Sequence, residues 1–533
     1  MLMTILTVGI LFPLLSVFSK ALATPIDSLR VILQAENLKM IGNSLLLGLL
    51  VVIVSTLIAY PLAFLFSLTP FSRLTAFDII FMIPFMTPPY IASMGWICFM
   101  QKRGLLQQLV PVAAGSENWF FSLAGLVLVM SLHVFPFLMT MLRNAMLSLP
   151  ASLMEAARIS GASLPCRIRR VFLPLLSGPY AIGALLVFVK TLSEYGTPST
   201  LGRRIGFEVF TTQIHHYATI APIRFGASAA LSTLLVAICL LLWLRQNAIT
   251  RKRSWDLSAA RKRLCASLSP TATMLAWAFV LLVLLLSIGI PYFSVTATAL
   301  IKLRGYGLRR GNYTLQNFID LFEVGSKGMR AMGTSIFLAI CAATIDAIVG
   351  TAVAMVAHNE HGHGPRQLTA LALLPEMLPN IVLVIGLMLF WNQLAKIIPL
   401  YNTLGIMVLS YSVLFLPYSV QYVQSALALM GSHLEEAGLV SGGNPSYVFF
   451  HVTLPLLKGP IATGWMMTCI ISLRELVCAS LLAPPNKLVI STFIMREFEQ
   501  GSVSTGMAMA FLCTVVTTIA LLVLNRLVGK ERI

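Results

Sequence analysis

Long apolar runs separated by short polar segments make up most of this chain. Twelve of the runs are long enough to cross a hydrocarbon core of roughly 30 Å as helices. They fall at about 2–19, 41–68, 76–100, 120–142, 177–195, 226–244, 272–300, 332–357, 368–392, 403–428, 460–483 and 505–527. The pattern therefore predicts an all-α polytopic membrane protein with about twelve transmembrane helices. The first run lacks the basic leader and small-residue cleavage pattern of a secretory signal, and we expect it to be retained as a helix.

One polar segment is both long and strongly basic. Residues 245–270 carry seven Lys and Arg residues against a lone acid, Asp256. We interpret the segment as a basic cytoplasmic linker that divides the chain into a first transmembrane half at 1–244 and a second at 271–533. Loop charges do not fix the orientation by themselves. The linker and an Arg cluster at 167–170 fall on one side, which we take as cytoplasmic.

A polar segment between apolar runs occurs twice. We name residues 152–176 the first island and residues 432–457 the second island. Three pairs share one offset of 281 residues, Glu155 with Glu436, Gly161 with Gly442, and Pro174 with Pro455. Further upstream the offset is 291, which pairs Pro84 with Pro375 and Pro88 with Pro379. The chain is thus predicted to contain two repeated six-helix halves.

Each island has the sequence pattern of a short helix, a turn and a second short helix. An S-x-x-E capping box is expected at Ser152 with Glu155, and Ser432 with Glu435 has the same spacing. The glycine at position 161 or 442 then suits a left-handed helix end. Proline at 174 or 455 would stand in the first turn of the next span. An ordinary interfacial helix pair is the alternative, but duplication favours docking of a soluble partner that has two subunits.

These residues resemble a known family. The pattern Glu-Ala-Ala, then Gly, then Leu-Pro is similar to the EAA loop of permease subunits in bacterial binding-protein-dependent ABC importers. The fused two-copy layout resembles the ferric-iron permease family of that class, and the segment 191–202 (TLSEYGTPSTLG) carries much of the likeness. The resemblance implies coupling to an ATPase through Glu155, Ala156, Ala157, Gly161, Leu173, Pro174, Glu436, Ala437, Gly438, Gly442, Leu454 and Pro455.

The same resemblance implies fold, partners and location. It implies a type I ABC importer permease of the MetI-like fold in the bacterial inner membrane, with two copies of a cytoplasmic ABC ATPase. A periplasmic or lipid-anchored binding protein would deliver the substrate, most simply ferric iron; phosphonate, polyamine, thiamine or sugar phosphate are the alternatives. ATP would bind the partner, and this chain would hold no cofactor. The second copy has Gly438 where the motif has alanine, so its docking is expected to be weaker or different.

Two repeated carboxylates are candidates for the transport pathway. Glu194 and Glu475 are repeat mates near span ends, and each has a basic neighbour, Lys190 or Arg474. Ionisable groups at membrane depth cost roughly 2.5–3.5 kcal/mol at a helix centre, so they are functional candidates. The structural alternative is that the carboxylates neutralise those cations or cap the interface. Carboxylates suit a hard cation and the basic residues suit an anion, so the sign of the substrate stays open.

Composition supports a transport protein and excludes several other classes. Apolar residues make up 58% of the chain, charged residues 11%, and the mean hydropathy is +0.87. The net charge of +18 is better explained by anionic lipid than by nucleic acid. The sequence contains no G-x-x-x-x-G-K-[ST] motif for ATP phosphates, so the energy for transport must come from elsewhere. A secondary transporter of the major facilitator type is the rival class, and a non-transporting membrane scaffold is a third possibility.

Overall fold

The computed structural model describes residues 1–74, 76–113, 115–149, 151–251, 268–359, 363–430 and 433–530. This part of the chain is helical, apart from connecting turns and one isolated bridge between Ile301 and Tyr313. The predicted all-α polytopic fold is confirmed.

Ten helices in the described residues are long and apolar enough to span a membrane. They are Leu2–Ala23, Ala35–Leu68, Leu123–Leu147, Arg169–Ser193, Phe225–Arg245, Pro270–Leu300, Lys327–His358, Leu404–Met430, Pro445–Leu473 and Val503–Ala520. Two bent helix pairs pass the same test, which gives up to twelve spans. The prediction of about twelve transmembrane helices is therefore confirmed.

The two bent pairs replace two runs that the sequence presents as single spans. Ala76–Met86 and Pro89–Met100 meet at 86°, and Gly364–Met377 and Asn380–Gln393 meet at 111°. Each second helix follows a proline, Pro88 or Pro379, which is extended in both places. Proline lacks an N–H and disfavours helix in the residue before it, so each run breaks there.

The linker begins later than the sequence pattern indicates. The helix Phe225–Arg251 continues into the first residues of the predicted linker 245–270. Residues 252–267 lie outside the described residues.

The chain divides into two compact units that are interleaved in sequence. Unit 1 comprises Met1–Gln34, Gln213–Val236 and Thr314–Ile533, and unit 2 comprises Ala35–Thr212 and Ala237–Tyr313. Each unit therefore contains the leading helix of the other sequence half. The division at 1–244 and 271–533 remains a prediction about the sequence repeat.

Unit 1 is built around Lys327–Asn359, which packs against Leu404–Met430 and Leu454–Leu473. The N-terminal helix Phe12–Ala23 packs on Asn380–Gln393. A Cβ at Gly386 would lie 2.5 Å from the Pro13 carbonyl oxygen, so glycine permits this close approach.

Unit 2 repeats the arrangement. Ala35–Leu68 packs against Leu123–Leu147 and Leu173–Ser193, and Ile290–Leu300 packs on Pro89–Met100. The repeat mate of Gly386 is Gly95, where a Cβ would lie 2.8 Å from the Pro291 carbonyl oxygen. A glycine thus permits the close packing of Phe12–Ala23 in unit 1 and of Ile290–Leu300 in unit 2.

Candidate coupling and pathway sites

The first island contains a helix closed by a glycine turn. The helix Ala151–Ile159 is followed by Gly161 with φ +78°. The Gly161 N–H donates to the Arg158 carbonyl at 3.0 Å, and the Ala162 N–H donates to the Ala157 carbonyl at 3.0 Å. This pair of bonds is a Schellman motif, which satisfies the last carbonyls of the helix.

The second island ends its helix in the same way. The helix His433–Val440 is followed by Gly442 with φ +89°. Gly442 donates to Leu439 at 3.0 Å, and Gly443 donates to Gly438 at 3.1 Å. The expected left-handed glycines are therefore confirmed. An added Cβ would meet nothing within 4 Å at Gly161 or Gly442, so the backbone conformation alone requires glycine there.

Of the two predicted capping boxes, the described residues test only the one at Ser152, and it is not formed. In the first island the helix already includes Ser152, so Ser152 does not precede it as a cap would. In the second island Ser432 lies outside the described residues. Glu435 instead accepts a hydrogen bond from the Thr453 hydroxyl at 2.9 Å, which ties the island helix to the start of the following span.

The second short helix of each island runs directly into the next span, and the prolines stand in the first turn of that span as predicted. Leu164–Arg167 and Pro445–Val448 each continue through a π-helical turn, Ile168–Phe172 or Phe449–Thr453, into the span. The turns immediately precede the Leu-Pro pairs. Proline lacks an N–H and crowds the preceding turn, and a π-turn accommodates it without ending the helix. Each island is thus continuous with a membrane helix.

Exposed apolar side chains at equivalent positions mark both islands. Ile159 is 87% exposed and its repeat mate Val440 is 89% exposed. Glu155, Ala156, Glu436 and Ala437 are also exposed. The Ile159 and Val440 pair was not predicted, although the sequence carries its signal, an apolar residue at the same repeat position inside each polar island.

Local packing explains the departure at Gly438. A Cβ there would lie 3.0 Å from Val448 Cγ2, and Val448 is buried. Ala157 stands at the equivalent place in the first island. Glycine therefore lets the second short helix approach the first.

The Leu-Pro pairs begin the span helices Leu173–Ser193 and Leu454–Leu473. Leu173 is 43% exposed, and Pro174 and Pro455 are exposed. Three residues after each leucine, Leu176 and Leu457 are buried. The pairs therefore lie where the exposed islands give way to packed helix.

Glu194 starts a turn at the end of a span. It follows the helix Leu173–Ser193, and its carboxylate accepts the Thr197 N–H at 3.1 and 3.0 Å. Its backbone carbonyl accepts the Thr211 hydroxyl at 2.7 Å. The carboxylate thus stabilises the start of the next helical segment, Pro198–Gly202.

Glu475 has the same role in the other half. Its Oε2 accepts the N–H groups of Cys478 at 2.8 Å and Ala479 at 3.2 Å, and its carbonyl accepts the Ser491 hydroxyl. The predicted span 460–483 is therefore not continuous. The helix ends at Leu473, and a separate helix, Val477–Leu482, follows the Glu475 turn.

Both carboxylates lie beyond the last residue of a candidate span. Burial raises the pKa of Glu194 to about 7 and that of Glu475 to about 7, and the donated N–H groups partly offset the effect. The hydrogen bonds give both carboxylates a structural role that the sequence did not predict, the capping of a following helical segment. A role in the pathway remains a prediction.

The two basic neighbours have different surroundings. Lys190 Nζ lies 5.8 Å from the centroid of the Phe85 ring and 5.6 Å from that of the Phe137 ring. The negative face of each aromatic ring attracts a cation at this distance, so the two rings stabilise the charged Lys190 ammonium. Arg474 is the first residue after the helix Leu454–Leu473. Its positive charge interacts electrostatically with the Tyr418 phenol.

One pathway candidate was missed by sequence analysis. Glu376 is an exposed carboxylate in the helix Gly364–Met377, which is part of a candidate span. The signal was an acid inside an apolar run, directly after Pro375 at the helix break. Within the described residues no group of three His, Cys, Asp or Glu side chains forms a metal cluster.

Comparison with known proteins identifies the family. The model for "Binding-protein-dependent transport system inner membrane component" matches residues 1–254 and 350–531. The ferric transport system permease protein FbpB of Actinobacillus pleuropneumoniae is 24% identical over 96% of this chain and 74% of its own length. The Fe(3+)-transport system permease protein FbpB 2 of Haemophilus influenzae is 21% identical over 94% of this chain and 92% of its own length. The putrescine transport system permease protein PotI of Escherichia coli is 28% identical over 32% of this chain and 63% of its own length.

Permeases of this family lack an ATPase of their own, which agrees with the absence of a phosphate-binding motif in the sequence. The apolar spans and the family match both place the chain in the inner membrane as a multi-pass protein. The chain therefore belongs to the family of binding-protein-dependent transport system inner membrane components, the ABC importer permeases.

Proposed function

We propose that this chain alone forms the pathway of an ATP-driven importer for ferric iron. Support comes from the relatives named for ferric transport, whose similarity spans nearly the whole chain. A periplasmic or lipid-anchored binding protein would deliver the iron. The ligand and ATP together need only shift the permease between inward-open and outward-open states.

The observation that carries the proposal is the pair of equivalent islands. Each presents a helix closed by a left-handed glycine, with an apolar side chain, Ile159 or Val440, almost fully exposed. Burying such a side chain stabilises a complex by about 1.5–3 kcal/mol. Two equivalent islands suit two copies of one ATPase, one on each island.

Helical continuity from island to membrane supports this coupling role. In the second half, the island continues through Phe449–Thr453 into the helix Leu454–Leu473. Leu457 on that helix packs in a buried cluster with Ala354, Val423 and Leu427. Movement of the docked ATPase would therefore be transmitted to three packed membrane helices at once.

Reconstitution with the ATPase and binding protein tests this function. Binding protein loaded with iron(III) should stimulate ATP hydrolysis and deliver iron into proteoliposomes, and vanadate should abolish uptake while a protonophore should not. Uptake that persists with vanadate and stops with protonophore would favour the secondary transporter. Putrescine and 2-aminoethylphosphonate serve as competing substrates, and preference for either would overturn the ferric assignment.

A further inference from the structure

The two helix breaks occupy equivalent places but carry opposite chemistry. Phe85 precedes the break in unit 2, and Glu376 precedes the break in unit 1, at the upstream repeat offset of 291. Discontinuous membrane helices commonly build the substrate sites of transporters, because their breaks present polar groups at membrane depth. The residues around each break are therefore the first place to seek a substrate contact.

The unit 2 break is aromatic and cationic. The Phe85 ring stacks on His133 with centroids 5.8 Å apart and on Phe137 with centroids 6.1 Å apart. The Lys190 ammonium lies over the two phenylalanine rings. This wall offers neither a carboxylate nor a phenol to a metal cation.

The unit 1 break is rich in oxygen. Glu376 is exposed and accepts a hydrogen bond from the Gln421 side-chain amide. Tyr418 precedes Gln421 by three residues and Tyr422 by four, so the three side chains lie on one face of the helix Leu404–Met430. The charge of Glu376 also reaches the Tyr418 phenol. Tyr418 and Tyr422 are partly exposed. One carboxylate and two phenols therefore gather on one face of the helix Leu404–Met430 and the helix beside it.

These groups require a watery environment. An ionised carboxylate facing lipid costs roughly 2.5–3.5 kcal/mol at a helix centre, and polar side chains in spans accordingly face cavities that hold water. Glu376 is bonded to Gln421, and Gln421 shares a helix face with Tyr418 and Tyr422, so the four polar groups form one candidate polar surface. The surface belongs to a helix break, where non-helical backbone is tolerated only beside protein or water.

The oxygen donors are specific to the second half. The repeat mates of Tyr418 and Tyr422 are Phe137 and Met141, at the offset of 281. No architectural need common to both halves explains two phenols and a carboxylate in one half only. Carboxylate and phenol oxygens are hard donors, which suit a hard, highly charged cation.

We propose that Glu376, Tyr418 and Tyr422 form a transient oxygen-donor site for a trivalent metal cation in the pathway, on the second half only. The inference rests on the proposed function, because it assumes a ferric substrate. Arg474, whose charge also reaches the Tyr418 phenol, supplies one positive charge against the single carboxylate. A pathway site must bind strongly enough to admit the ion and weakly enough to release it, and a nearly neutral site meets both needs.

The first experiment measures binding without transport. Terbium(III) is a hard trivalent probe whose luminescence is excited through nearby tyrosine. Titration of the purified permease should give a saturable signal that falls at least fivefold in E376Q and in the double variant Y418F/Y422F. The control is Glu323→Gln. It removes another exposed carboxylate of unit 1, 53 residues before Glu376, and should leave the signal unchanged. An equal signal in all variants overturns the inference.

The second experiment uses the reconstituted importer with iron(III) on its binding protein. Iron transported per ATP hydrolysed should fall at least tenfold in E376Q/Y418F/Y422F and not in E323Q. The three substitutions keep the size and shape of the side chains, so the variant should insert into the membrane as well as the wild type does. Equal amounts of inserted protein are the check that a loss of transport is not a loss of folding. If the wild type transports iron and the triple variant does so equally well, the site is wrong and the proposed function stands. If the wild type transports no iron, the proposed function fails and this site fails with it.

Discussion

Replacing both island glycines by valine should uncouple transport from ATP hydrolysis. Gly161 and Gly442 have φ of +78° and +89°, and neither has an atom within 4 Å of an added Cβ. The whole penalty is therefore conformational, about 1–2 kcal/mol for an L-residue in the left-handed region. That penalty lowers the ratio of closed to open turn by a factor of about 5–30 at each island. Substrate-stimulated ATP hydrolysis in proteoliposomes should fall accordingly, while membrane insertion is retained.

Two controls separate coupling from general damage. Gly115 and Gly325 also have positive φ and free space for a Cβ, and they lie outside the islands, one in each compact unit. Valine at these positions imposes the same backbone penalty and should leave coupling intact. Asparagine at the island positions enters the left-handed region more readily and should restore part of the activity. Normal stimulation in the Gly161→Val, Gly442→Val variant would refute the reasoning.

Three further predictions concern the carboxylate turns and the linker. E475A leaves the Cys478 and Ala479 N–H groups without their acceptor and should lower the free energy of unfolding by about 1–3 kcal/mol. E475Q keeps an acceptor oxygen and should lose less stability. Equal losses in thermal unfolding of the two variants would count against the capping role. Burial raises the pKa of Glu475 to about 7, so the folded state holds a proton that the unfolded chain releases near its usual pKa. Stability should therefore fall as pH rises from about 5 to 7, by up to about 3 kcal/mol, and should fall less in E475Q; identical pH profiles would exclude the effect. Splitting the chain near Ser254 and co-expressing the halves should retain iron uptake, and loss despite stable insertion of both pieces would show that the linker does more than tether.

Sequence patterns predicted the spans and the repeat because the length of an apolar run and a duplicated segment are both visible in the order of residues. They did not predict the breaks after Thr87 and Leu378, because an apolar run continues on both sides of each break and membrane helices tolerate proline. The continuity of the islands with the next helices was also missed, since proline usually marks a helix start and the π-turn that accommodates it has no strong sequence signal.

The candidate sites were predicted in part. Repeat offsets identified Glu194 and Glu475, but not their bonds to Thr197 and Cys478, because a capping carboxylate and a pathway carboxylate are the same residue in sequence. The offsets also drew attention to residues that both halves share. Glu376 has an apolar repeat mate, Phe85, so the repeat pattern gives no signal for it.

The most direct test of the account is the mass of the intact complex with its ATPase, measured by native mass spectrometry on wild type, I159E, V440E and the double variant. A glutamate at either position removes the exposed apolar contact and puts a charge in its place. The account predicts two ATPase copies on the wild type, one on each single variant and none on the double variant. Two ATPase copies retained on the double variant would contradict the claim that the islands dock the ATPase.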